Sequence, residues 1–170
     1  MLTPKEIAAA DEITGLRLSA DASWVVYSVG PVNRPGEHVT SALWLAHTNV
    51  EGSAKQITSG EFHDHSAQFH PDGSVVYFLS DRHNAGKSSH IYRLAIPSSE
   101  GDPIPITLPA DVEAVISFSI SPDGKYVAFI SPDKPISNEG TEYVPYVQIW
   151  GEKKALGRVR LIELDACPKG

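Results

Sequence analysis

Apolar residues recur along the chain in short runs separated by turn residues, and three of these runs repeat at one interval. Leu18, Phe69 and Ile120 stand 51 residues apart, as do Val25, Val76 and Val127, and as do Tyr27, Phe78 and Phe129. Asp21, Asp72 and Asp123 keep the same interval between them. Self-similarity at a fixed period marks an array of like units, each unable to bury its apolar face alone. The second copy reads Phe69-His70-Pro71-Asp72-Gly73-Ser74-Val75-Val76, and the third reads Ile120-Ser121-Pro122-Asp123-Gly124-Lys125-Tyr126-Val127. Proline presets φ for the second position of a type I turn. Asp accepts a backbone hydrogen bond where the chain reverses. Gly takes the left-handed conformation that closes a short hairpin. The flanking residues are β-branched and aromatic, as strands require. The first copy, Ser19-Ala20-Asp21-Ala22-Ser23, has neither Pro nor Gly. If Ala22 keeps the positive φ of its counterparts, it carries about 1 kcal/mol of backbone strain; otherwise that turn is of a different type.

Further strand signals follow each hairpin. In the first copy they are Ala42-Leu43-Trp44-Leu45 and Lys55-Gln56-Ile57-Thr58; in the second, His90-Ile91-Tyr92-Arg93-Leu94 and Ile104-Pro105-Ile106-Thr107-Leu108. Four short strands per unit make a propeller blade. The expected fold is all-β: a partial β-propeller of about three four-stranded blades, the third incomplete. The blades fall at about 16–60, 61–111 and 112–170. Pro103, Pro105 and Pro109 cannot donate to a ladder, so the last strand of the second blade should be an outer edge. The third copy carries an insertion, roughly Pro132 to Gly157, before Arg158-Val159-Arg160-Leu161-Ile162-Glu163-Leu164. Tyr146-Val147-Gln148-Ile149-Trp150 competes with that run for the third strand. Residues 1–15 form the lead-in. Thr3-Pro4-Lys5-Glu6 is a capping box with Pro at the first helical position. It predicts a short helix over about residues 4–13, ended by Gly15.

Composition narrows the classes. A chain of 170 residues suffices for one ordinary domain. Thirteen Gly and thirteen Pro point to short strands rather than a helical bundle. A net charge of −7 repels phosphate backbones, so no nucleic-acid partner is expected. Cys167 is the single cysteine, which excludes an internal disulfide framework and a thiolate metal cage. No apolar run is long enough to cross a bilayer, and Met1 to Glu12 lacks an apolar signal core. No membrane association and a cytoplasmic location are the expectation.

Several residues invite a chemical role and have a plainer one. His63-Asp64-His65, with His70 nearby, offers zinc ligands, but no helical His-Glu-x-x-His frame supports them. A polar loop between blades, bonding to backbone, explains the same residues. Gly86-Lys87-Ser88 resembles the end of a phosphate loop, yet the position of its first Gly holds Asp81, which would repel phosphate. A turn Asn84-Ala85-Gly86-Lys87 fits better. Ser121 and Asp123 could belong to a hydrolytic triad, but their counterparts in the other copies serve the same turn, which favours a structural role. Cys167 stands beside Pro168 with no His near it in sequence. Trp24, Trp44 and Trp150 are expected to pack between blades. No catalytic residue, metal ligand or cofactor site is assigned.

Kelch repeats require a Gly-Gly pair and WD40 repeats a Trp-Asp signature, and both are absent. Ser121-Pro122-Asp123-Gly124 and Ser80-Asp81-Arg82 resemble the TolB-type repeat found in the N-terminal propeller of prolyl oligopeptidase family serine peptidases. Leu2-Thr3-Pro4-Lys5-Glu6-Ile7 and Tyr146-Val147-Gln148-Ile149-Trp150 resemble the branch holding acylaminoacyl peptidases and fungal dipeptidyl-peptidase V. The resemblance covers about residues 2–165. It implies a seven-bladed propeller joined to a C-terminal α/β-hydrolase domain, with the nucleophile in Gly-x-Ser-x-Gly. No such elbow occurs in the chain. The implied function is therefore that of a propeller portion that limits a serine peptidase to short or N-acylated peptides. Its chemistry would lie in a hydrolase domain outside the chain, and its peptide substrate would be met there. The alternative is a propeller scaffold for protein interaction with no enzyme attached. Three blades cannot close a ring, so the isolated chain is expected to self-associate through uncovered faces.

Overall fold

A computed structural model describes residues 10–32, 38–96, 101–132 and 157–164. The described elements are all strands, in chain order β1 (Asp11–Leu18), β2 (Trp24–Pro31), β3 (Ala42–His47), β4 (Lys55–Gln56), β5 (His65–Phe69), β6 (Val75–Asn84), β7 (Ser88–Ala95), β8 (Ile104–Pro105), β9 (Ser117–Ile120), β10 (Tyr126–Pro132) and β11 (Gly157–Glu163). They form three antiparallel sheets, ordered β1-β2-β3-β4, β5-β6-β7-β8 and β9-β10-β11. β8, with Pro105, is an outer edge as its prolines require. In the third sheet β11 pairs with β10, Val159 opposite Ile130 and Leu161 opposite Ala128. That settles which run supplies the third strand; Tyr146–Trp150 lie outside the described residues. Among the described residues no helix is long and apolar enough to cross a membrane.

Two cores lie between the sheets, and the alternation along β6 explains both. Val76 and Phe78 face the first sheet, where they pack with Val26, Leu43, Leu45 and Ile57. Val75, Tyr77 and Leu79 face the third, where they pack with Val115, Phe118, Val127 and Phe129. Successive side chains of a strand point to opposite faces, so a sheet covered on both sides must be apolar at every position. Val75 to Asp81 are all buried. The flanking sheets have one covered face each. Ile13 and Leu18 on β1 are 64% and 55% exposed, and Val159 and Leu161 on β11 are 78% and 65% exposed.

The repeated turns are alike in detail. Gly73 and Gly124 have φ of 74° and 72°, and Ala22 takes φ of 58°. The first copy thus keeps the turn without its glycine. Asp21 compensates: its carboxylate accepts from the Ser19 hydroxyl at 2.6 Å, the Ser23 hydroxyl at 2.7 Å and the Ser23 amide at 3.0 Å. Ala22→Gly is expected to raise stability by about 0.5–1 kcal/mol, the relief of left-handed strain less the added freedom of the unfolded chain. A urea midpoint that moves up with an unchanged slope would record it.

The lead-in departs from expectation. Asp11, Glu12 and Ile13 pair with Pro31, Gly30 and Val29 in β1, so no helix reaches residue 13. Residues 4–9 of the expected helix lie outside the described residues. Gly15 does not end a helix. It sits within β1 at φ of 64°, where the pairing with β2 shifts register. The ladder with β2 outcompeted the local helical preference of a short segment.

Candidate functional site

The polar side chains concentrate toward the end of β6 farthest from its Pro-Asp-Gly turn. Asp64 is fully buried just before β5, and its Oδ1 accepts from the Arg82 guanidinium at 2.8 Å. Arg82 also donates through Nε to Ser80 Oγ at 3.0 Å. Its guanidinium carbon lies 5.4 Å from the Phe62 and Phe78 ring centres and 5.0 Å from that of Tyr92. A planar, weakly hydrated cation suits such an aromatic surround. Asp81 ties three segments together. It accepts from the His63 amide at 2.8 Å and the Gly86 amide at 2.7 Å, and its Oδ2 lies 2.5 Å from His38 Nε2. Ser41 completes the joint between the first two sheets: its amide donates to Phe62 O at 2.9 Å and its hydroxyl to Asp64 O at 2.7 Å.

Imidazoles line this joint. His63 and His65 stack with ring centres 4.3 Å apart. Burial, and then His63, holds His65 down at about 4 from an ordinary 6.5. Burial lowers His63 as well. His90 on β7 is fully buried with neither ring nitrogen hydrogen-bonded, and burial followed by the neighbouring His83 lowers it. The sign follows from linkage. Below pH 6.5 the unfolded chain takes up protons that the folded chain refuses, so stability falls as pH drops from 6.5 toward about 4. His90→Leu is expected to flatten this decline and to raise stability at neutral pH, because it removes two unsatisfied buried polar atoms. Chemical denaturation at a series of pH values measures both effects.

His63, Asp64 and His65 thus do more than bond to backbone. Asp64 is committed to Arg82, and the two rings face each other. Among the described residues no group of three or more His, Cys, Asp or Glu is arranged to hold a metal. His70 lies elsewhere, in the second turn, where its Nε2 donates to Gly124 O of the third sheet at 3.1 Å. Gly86 and Lys87 form the β6–β7 turn, the Lys87 amide donating to Asn84 O at 3.0 Å. Ser121 donates to Asp123 at 2.5 Å and accepts the Tyr126 amide at 2.9 Å, which makes it a fastener of the turn. Trp24 packs against the core between the first two sheets and meets His47 edge-on at 5.0 Å. Trp150 and Cys167 lie outside the described residues. Among the described residues one cleft of about 410 Å³ lies beside Thr58, Phe62 and Arg82, and another of about 270 Å³ lies between the turns holding Asp21 and Asp72. Neither gathers a nucleophile, a base and an oxyanion donor. Sequence reasoning missed the Asp64–Arg82 pair; the Ser80-Asp81-Arg82 segment was its visible signal.

No protein-family model matches the chain. In sequence it is 26% identical over 128 residues to the uncharacterized peptidase YuxL of Bacillus subtilis, which covers 75% of this chain and 18% of that protein. The chain therefore spans less than a fifth of that relative's length. In structure it matches TolB from Agrobacterium tumefaciens with a TM-score of 0.57 at 18% identity, over 91% of this chain and 46% of that one. The fold is a partial β-propeller of the TolB type. This TolB-type fragment also matches the acylaminoacyl peptidase of Pyrococcus horikoshii, with a TM-score of 0.57 at 13% identity, over 83% of this chain and 20% of that one. The likeness to that peptidase is one of fold. In the TolB-type frame each sheet is a blade: the His38–Asp81 and Ser41–Asp64 bonds join the first blade to the second, and the Asp64–Arg82 pair lies within the second.

Proposed function

We propose that the chain is the N-terminal propeller portion of a serine peptidase acting on short or N-acylated peptides. The propeller restricts access, and a hydrolase domain outside this chain supplies the nucleophile, the base and the oxyanion hole. The observation that carries this reading is the match to a peptidase across three quarters of the chain, joined to the absence of a Gly-x-Ser-x-Gly elbow from the sequence. The exposed apolar faces of the first and third blades support it, since further blades would cover them. The TolB likeness favours a second reading, an interaction propeller with no enzyme attached. Kinetics separates the two. The purified 170-residue chain should not hydrolyse acetyl-alanyl or dipeptidyl chromogenic substrates. The product of the gene read on past Gly170 should do so, and a serine-directed phosphonate should block it. A longer product with no elbow and no turnover would favour the scaffold, and activity in the short chain itself would refute both.

A further inference from the structure

The joint between the first two blades holds imidazoles where acid disturbs them. Ser41 of the first blade is bridged to His63. Its amide donates to Phe62 O at 2.9 Å, its hydroxyl donates to Asp64 O at 2.7 Å, and the Asp64 amide donates back to Ser41 O at 3.2 Å. The rings of His63 and His65 stack with centres 4.3 Å apart, and β1 and β2 of the first blade pack along β5. His90 shares a face of β7 with Tyr92, which packs toward the first blade, so its ring points there too. It is fully buried, and neither ring nitrogen has a partner. Charges on both stacked rings repel, and a charge on His90 lies buried without an acceptor.

The surrounding charges are already committed. Those that bear on His63 and His65 are Asp64, Asp81 and His38. Asp64 is held by Arg82, and Asp81 by the His63 and Gly86 amides and by His38. Of the strands packed on β5, β1 carries Asp11, Glu12 and Arg17 and β2 carries Tyr27. β7 presents Ser89, whose Oγ stands 3.5 Å from His65 Nε2. Beside His90 the titratable neighbour is His83, edge-on at 6.2 Å. The joint between the second and third blades is built otherwise. Gln68 donates to Phe118 O at 2.8 Å, and His70 Nε2 donates to Gly124 O at 3.1 Å. His70 also faces the Tyr77 ring at 6.2 Å. A proton added at His70 Nδ1 meets Asp72 Oδ1 at 2.7 Å, so acid leaves that joint satisfied.

We propose that the polar end of the joint between the first two blades is an acid-released latch: proton uptake by His63, His65 and His90 parts Ser41 from residues 62–64, while the joint between the second and third blades stays shut. His38 works against the release, because a proton on its ring leaves an ion pair with Asp81. The driving force is linkage, since the open joint takes up protons that the closed one refuses. The latch is distinct from the global loss of stability in acid. It opens locally, with the strands of all three blades intact. It also stands apart from the peptidase reading.

The test is amide hydrogen exchange on the isotope-labelled 170-residue chain between pH 7 and pH 5, in dilute urea, expressed as protection so that the intrinsic pH dependence of exchange cancels. Protection of the Ser41 and Asp64 amides should fall about twentyfold from His65 alone, which the closed joint holds at about 4 against an ordinary 6.5, and further with His63 and His90. Because the opening is local, exchange at these two amides should be nearly insensitive to urea. The Val127 amide, and the Val115 amide that donates to Ser89 O at 2.8 Å, should stay better protected at every pH and keep the urea slope of global unfolding. His65→Phe keeps a stacked ring without its titration and should reduce the acid fall; adding His90→Leu should remove most of it. Three results would overturn the proposal: Ser41 and Asp64 amides that share the urea slope and protection of Val127, protection there that does not change with pH, or an acid fall that is undiminished in His65→Phe and in His90→Leu. The first two are read on the unaltered chain and do not depend on either variant folding.

Discussion

Asp64→Ala is expected to lower the unfolding free energy by about 3 kcal/mol, because it strips the counter-charge from a buried cation. The Arg82 side chain is only 16% exposed and its guanidinium meets the Asp64 carboxylate at 2.8 Å. Without that partner the guanidinium keeps Ser80 and three aromatic rings, which together satisfy its donors poorly. Asp64→Asn retains an acceptor of the same shape and should cost less, which separates the charge from the packing. Replacing both Asp64 and Arg82 by apolar residues of similar volume should recover much of the loss, since a buried pair gives weak net stabilisation against a packed apolar substitute. Urea unfolding of the four proteins decides the matter. Equal stability of Asp64→Ala and the wild type would show that the pair does not stabilise the second blade.

Phe78→Ala is expected to cost a further class of energy, about 3–5 kcal/mol, through lost transfer free energy and the cavity left behind. Phe78 is fully buried, it faces the first blade from the middle of β6, and Arg82 and Tyr92 rest against its ring. Its columnar partners predict a gradient. Tyr27, on the uncovered face of blade one, is only half-buried and should lose far less on truncation to Ala. Phe129 is buried between blades two and three and should lose nearly as much as Phe78. Equal losses at all three positions would mean that the outer face of blade one is covered in solution.

Much of this architecture was legible before any coordinates. The 51-residue interval among Asp21, Asp72 and Asp123 located the three hairpins, since an Asp-centred turn between β-branched runs, Pro-Asp-Gly in the second and third copies, favours one local solution. The conformation of Ala22 could be posed in advance as a choice, and φ of 58° shows that the turn geometry prevailed over the missing glycine. The lead-in was misread at Asp11 to Ile13 because a capping box reports only local preference, and the pairing with Val29 to Pro31 is not local. The His63-Asp64-His65 segment was legible as chemistry but not as structure. Nothing in its spacing says that Asp64 meets Arg82, which lies 18 residues away on the neighbouring strand β6.

The hairpins at the three repeated turns, and their repetition, were readable from the sequence because each depends on residues within a few positions of one another. Only the tertiary structure decided which faces are covered. β6 is buried on both sides because a blade stands on each flank, while the outer faces of β1 and β11, built from similar residues, remain open. It also decided that Asp81 reaches His38 from the first blade and that Asp64 meets Arg82 within the second. Burial and long-range pairing belong to the arrangement of sheets in space, and period and propensity do not encode that arrangement.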